Sequence, residues 1–154
     1  MTSLLILLVL WQGTFELALP GYEFSFPRDH GNHSRYKLEW WYWTGHLTSE
    51  EGRRFGFELA FFRLGVRRDP TSSSSWALGD LYPAHFALSD VEAGRFLHDQ
   101  KLSRTSPGVA GSQAGTLEVW NQEWRARLAE GKFLLTAGSR EAAIDLTLDP
   151  LQAP

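Results

Sequence analysis

The chain has 154 residues, 43% of them hydrophobic and 21% charged, with no cysteine and a net charge of −3. That apolar content excludes a disordered chain, and the missing cysteines exclude a disulfide framework or a zinc–thiolate site. An acidic balance without basic runs makes nucleic acid an unsuitable partner, because phosphate contacts need clustered Lys and Arg. The 7 Trp, 4 Tyr and 10 Phe stand out. Each brings roughly 150–250 Å² of buriable surface. A domain this aromatic either packs a dense core or lines a pocket for an apolar, unsaturated guest, and composition does not choose between them.

Leu4 to Trp11 (LLILLVLW) is an apolar run. It falls short of the about 20 residues that span a membrane and matches the apolar core of a secretory signal. No Lys or Arg precedes Arg28, and Ala18-Leu19-Pro20 is a poor cleavage sequence. Residues 1–20 therefore read as a degenerate signal or as an apolar extension. The first alternative places the protein in the periplasm or outside the cell, with peripheral membrane association as a further expectation. Gly21 to Arg35 is turn-rich. Lys37 to Leu47 (KLEWWYWTGHL) is rich in strand-formers, with Trp40 and Tyr42 on one face and Glu39, Trp41 and Trp43 on the other. Aromatics on both faces predict a strand covered on both sides.

A polar turn separates it from Phe55 to Leu64, and the pair reads as a hairpin. Arg67 to Ser75 is a low-complexity surface connection. Leu81 to Ser89 is a strand in which Pro83 predicts an edge position or a bulge. Arg95 to Ser103 follows, then a Gly/Ser loop over Thr105 to Gly115. Leu117 to Trp120, Trp124 to Ala129, Lys132 to Ala137 and Ala142 to Asp149 complete a meander. No window shows sustained helical periodicity, so the fold class is all-β, an antiparallel up-and-down barrel able to hold one small ligand.

The densest polar group is Asp29, His30, His33 and Glu39. Histidine beside carboxylates can relay protons. No metal site is expected, since His30-x-x-His33 lies in a loop without a helical His pair or cysteine. Glu39 beside Trp40 and Trp41 reads in two ways: a desolvated acid able to protonate an alkene, or a partner of Arg63 in a buried bridge. Asp29 caps a turn and His30 packs over the barrel mouth in the structural reading of those two. His85, alone in an apolar strand, is a core residue or a polar group on a cavity wall. Trp120 and Trp124, either side of a tight turn, read as core. Serine-hydrolase, phosphate-loop and HExxH signals are missing.

At FPRDHGNHSRYKLEWWYWTGHL (Phe26 to Leu47) the chain resembles the carotenoid 1,2-hydratase family, also called hydroxyneurosporene synthase, which groups with AttH-domain proteins. The likeness continues through RRFGFELAFFR, LYPAHFALSD, VWNQEWRARL and AIDLTLDP. It implies two lipocalin-like (calycin) barrels in tandem, with residues 21–154 as the first and the second domain missing. It also implies acid-initiated addition of water across a C=C bond of an isoprenoid, without an organic cofactor. The catalytic acid and histidine usually described for hydratases lie in that second domain. Glu39, Asp29 and His30 are therefore the catalytic candidates within this chain. Trp40, Trp41, Tyr42, Trp43, Phe61, His85 and Phe86 are the expected contacts of an apolar isoprenoid or lipid. A non-catalytic lipid carrier is the alternative.

Overall fold

A computed structural model describes residues 15–66 and 79–152. The readings of Leu4 to Trp11 and Arg67 to Ser75 lie outside the described residues, as do residues 1–14 of the segment 1–20. Nine strands appear within them: β1 (Leu38–Thr48), β2 (Arg54–Leu64), β3 (Leu81–Asp90), β4 (Arg95–Arg104), β5 (Ala110–Ser112), β6 (Glu118–Asn121), β7 (Trp124–Ala129), β8 (Lys132–Gly138) and β9 (Ala143–Leu148). Every neighbouring pair is antiparallel. The only helical piece among these residues is a 3-10 turn, Arg28–His30. No helix among them is long and apolar enough to cross a membrane.

The strands form two meanders in chain order, β1-β2-β3-β4 (sheet I) and β5-β6-β7-β8-β9 (sheet II). Alternation decides what they bury. On β2, Phe57, Leu59 and Phe61 point to sheet II; on β3, Tyr82, Ala84 and Phe86 do the same. They meet Leu117, Val119, Trp124, Ala126, Leu135 and Ile144 in one core. Each fully covered large side chain there is worth about 1.5–3 kcal/mol of burial.

The single closed barrel expected from the sequence is here a pair of facing sheets of lipocalin-like, up-and-down order. The chain turns from β4 into β5 through residues 105–109, where Ser106 and Ala110 make an isolated bridge. No ladder joins β9 to β1, so both remain edge strands. The loop expected over Thr105 to Gly115 contains β5. This strand, Ala-Gly-Ser, has no β-branched residue to announce it. Its Gly111 is required by packing, because a Cβ there would sit 2.7 Å from the Trp120 ring that covers it.

Pro83 lies in β3, which is interior, paired with β2 on one side and β4 on the other. The β4 ladder runs through Pro83 opposite Leu102, while the β2 ladder is interrupted between Ala84 and Leu81. The register is the same on both sides of that gap, so no bulge residue is inserted. A proline without an N–H is accommodated by a gap of two residue pairs in that ladder. The outer face of β1 is also open, with Trp40 57% and Tyr42 62% exposed. The expected cover on both sides of that strand is present on one side only, because sheet II packs solely against the Trp41 and Trp43 face.

Candidate functional site

The Arg28–His30 turn and the residues after it cross one end of the two sheets and are tied to both. The Trp41 indole Nε1 of β1 donates to the His30 carbonyl at 2.9 Å. Asn32 reaches sheet II, donating from its backbone to the Gln113 carbonyl at 2.8 Å and from Nδ2 to the Ser112 carbonyl and hydroxyl at 3.1 and 2.9 Å. Between them Gly31 approaches the β5–β6 loop so closely that a Cβ would lie 2.5 Å from the Gly115 nitrogen. Any larger residue there pushes the cap off its seat.

A chain of charges pins this cap. His33 stands between two carboxylates, with Nδ1 2.9 Å from Glu39 Oε1 and Nε2 3.1 Å from Asp29 Oδ1. Glu39 Oε1 also accepts the His33 backbone N–H, and Oε2 accepts Arg63 Nε at 2.7 Å. Arg63 comes from the inner face of β2 and is 1% exposed. Its remaining donors reach Asp80 at 3.2 Å and the carbonyls of His33 and Tyr36. Burying a guanidinium this deeply is tolerable only because its donors are matched.

Asp29 accepts bonds from the Ser25 backbone, both arms of Arg28 and the Tyr22 hydroxyl. The Arg28 guanidinium, followed by the Ser25 N–H and His33, holds this carboxyl well below the usual carboxylate range. Its stabilising effect is therefore complete above about pH 4, the ordinary value of the unfolded side chain, and is lost as the pH falls further. Asp29→Asn is expected to flatten the acid limb of a Tm-against-pH curve below about pH 4.

The structure brings Asp29, His33 and Glu39 together and keeps the His30 ring apart from them. That ring packs against Phe26 and Phe133, with centroids 4.4 and 5.4 Å away. Of the two sequence readings of Glu39, the bridge to Arg63 is the one observed, and both its oxygens are engaged. The expected ligand contacts fall into three environments. Phe61 and Phe86 are 0% and 1% exposed, in the packed centre. Trp40, Tyr42 and His85 lie on the outer face of sheet I. Trp41 and Trp43 face inward yet are only half-buried, as are Leu47 on the same strand and Phe133, Leu146 and Leu148 on β8 and β9.

Sequence reasoning missed Phe26, Asp80 and the β8–β9 side of this wall. For Phe133, Leu146 and Leu148 the alternation was visible, but nothing local ties them to β1. Asp80 carried no signal, being a single acid before a strand. Trp124 is core as read, 0% exposed. Trp120 is half-covered, with the Arg125 guanidinium 5.8 Å from its ring. Two open cavities flank these elements. One of about 410 Å³ beside the cap is lined by Tyr22, Arg28, Asp29, Asn32, His33 and Arg35. The other, about 500 Å³, lies on sheet I and includes His46, Glu58 and Phe96. Among the described residues no group of three or more His, Asp and Glu has a metal-holding arrangement.

Comparison with known proteins places this architecture. The AttH-like family model matches residues 17–154. A crystal structure of a candidate AttH protein from Nitrosomonas europaea is similar at a TM-score of 0.73, with 30% identity over 88% of this chain. The chain spans 41% of that protein's length. No curated protein matches. The family model covers most of the chain, and the chain belongs to the AttH-like family.

Proposed function

We propose that this chain holds an apolar, unsaturated small molecule of isoprenoid or lipid type along the inner wall between β1 and β9. The observation that carries the reading is the fall in burial toward those two edges. Phe57, Leu59 and Phe61 on β2 and Tyr82, Ala84 and Phe86 on β3 are buried, whereas Trp41, Trp43 and Leu47 on β1 and Leu146 and Leu148 on β9 are only partly so. Large apolar groups left half-wet on an inner wall gain by taking up an apolar guest. Tryptophan faces suit an unsaturated one.

The test is displacement of N-phenyl-1-naphthylamine by farnesene, read by fluorescence. Trp41→Ala is expected to weaken farnesene about tenfold, the cost of losing one well-placed aromatic contact. Tyr42→Ser, on the outer face, leaves it unchanged. Equal effects from the two variants, or no displacement at all, defeat the proposal.

Hydration of a C=C bond is the finer activity carried by the family resemblance. The reading preferred for this chain is retention without turnover, because the oxygens of Asp29 and Glu39 are committed to Arg28, His33 and Arg63. Farnesene recovered after long incubation is expected to have its original mass. A product heavier by one water would make this chain a hydratase, and Glu39→Gln would then be the first variant to assay.

A further inference from the structure

The inner wall ends at the cap, and the group placed there is the His30 ring. It is flanked by Phe26 and Phe133, and the backbone carbonyl of the same residue holds Trp41. His30 therefore links β1 and β8 under the cap, touching Phe133 and holding Trp41, both half-buried side chains of the wall. Both of its backbone polar groups are used, the N–H by the Pro27 carbonyl and the carbonyl by Trp41. Its ring nitrogens make no hydrogen bond or ion pair with any described residue. The neighbouring His33 differs in this respect, with both ring nitrogens facing carboxylates.

A half-buried ring held against aromatic faces with both nitrogens left open can take a hydrogen-bond partner from a ligand. We infer that His30 is the polar contact of the apolar site, and that the ligand it selects is a long unsaturated alcohol, its hydroxyl bonded to the His30 imidazole and its chain laid along Trp41 and Trp43. This rests on the reading of the β1–β9 wall as a ligand site. A neutral imidazole offers one donor and one acceptor, and a hydroxyl answers either. A carboxylate head group is disfavoured, since it would lie against the apolar Phe26 and Phe133 rings. Burial also pushes the His30 imidazole below the ordinary histidine value, which keeps it neutral near pH 7.

Farnesol, farnesene and farnesoic acid share a carbon skeleton and differ in the head group. In probe displacement from the intact chain, farnesol is expected to bind about tenfold more tightly than farnesene, the effect of one hydrogen bond made inside an apolar wall, and farnesoic acid more weakly than the alcohol. His30→Phe should bring farnesol down to the farnesene value while leaving farnesene unchanged. His30→Asn, which keeps a donor and an acceptor, should retain part of the preference. A matched thermal melt identifies any variant that has lost its fold, and in that case the imidazole ¹⁵N shifts of the wild type decide, moving with farnesol and not with farnesene. Equal binding of alcohol and hydrocarbon, or a preference that survives His30→Phe, overturns this inference and leaves the apolar site standing. Failure of all three to displace the probe overturns both.

Discussion

Arg63→Met is expected to lower the unfolding free energy by about 3–5 kcal/mol, the usual cost of removing one partner from a buried ion pair. The side chain is 1% exposed, and its partners Glu39 and Asp80 are 12% and 9% exposed. Methionine fills much of the volume but answers none of the four oxygens that Arg63 serves. Two carboxylates and the carbonyls of His33 and Tyr36 each lose a donor under the cap. Urea unfolding followed by tryptophan emission measures the loss. The control is Arg53→Met, whose partner is Asp90 and whose side chain is 53% exposed. An exposed pair of that kind contributes about 0–1 kcal/mol. A loss below about 1 kcal/mol at Arg63 as well would show that the network is not what seats the cap.

Trp124→Ala should cost a comparable about 3–5 kcal/mol, for a different reason. Trp124 is 0% exposed on β7 and sits edge-on to Phe86, with ring centroids 6.0 Å apart. Its Nε1 donates to the Gly138 carbonyl at 2.8 Å, tying β7 to the end of β8. Truncation opens a cavity between the sheets and leaves that carbonyl without its donor. Trp124→Phe separates the two effects, refilling most of the space while still losing the hydrogen bond, and should recover more than half of the loss. Trp40→Ala, on the outer face and 57% exposed, should stay within about 1 kcal/mol of the wild type, well short of a core truncation. Equal losses at Trp124 and Trp40 would contradict the assignment of inner and outer faces.

Much of the strand pattern could be read along the chain. Trp124 to Ala129 is observed with the expected ends, and the other expected strands differ by a residue or so at their ends, while β5 was read as loop. The Glu39–Arg63 bridge was also legible, since a carboxylate among aromatics needs a cation and an arginine waits on the next strand. Asp80 was not, because its role depends on Arg63 reaching it across the end of sheet I. Pro83 misled for a related reason. Its missing N–H marks a lost rung, but local sequence does not say whether that rung belongs to an edge or to one interrupted ladder between two interior strands.

Side-chain alternation is a property of extended backbone, so the order of residues alone determined that Trp40 and Tyr42 share one face and Trp41 and Trp43 the other. It could not say which pair turns inward, because both are aromatic and the local chain favours neither. The arrival of sheet II on the Trp41 side, with the His30 carbonyl capturing its indole, made that choice. The same holds for the open edges of β1 and β9. Hydrogen-bond partners in a sheet come from distant segments, and whether two edges meet depends on the twist and packing of both sheets together.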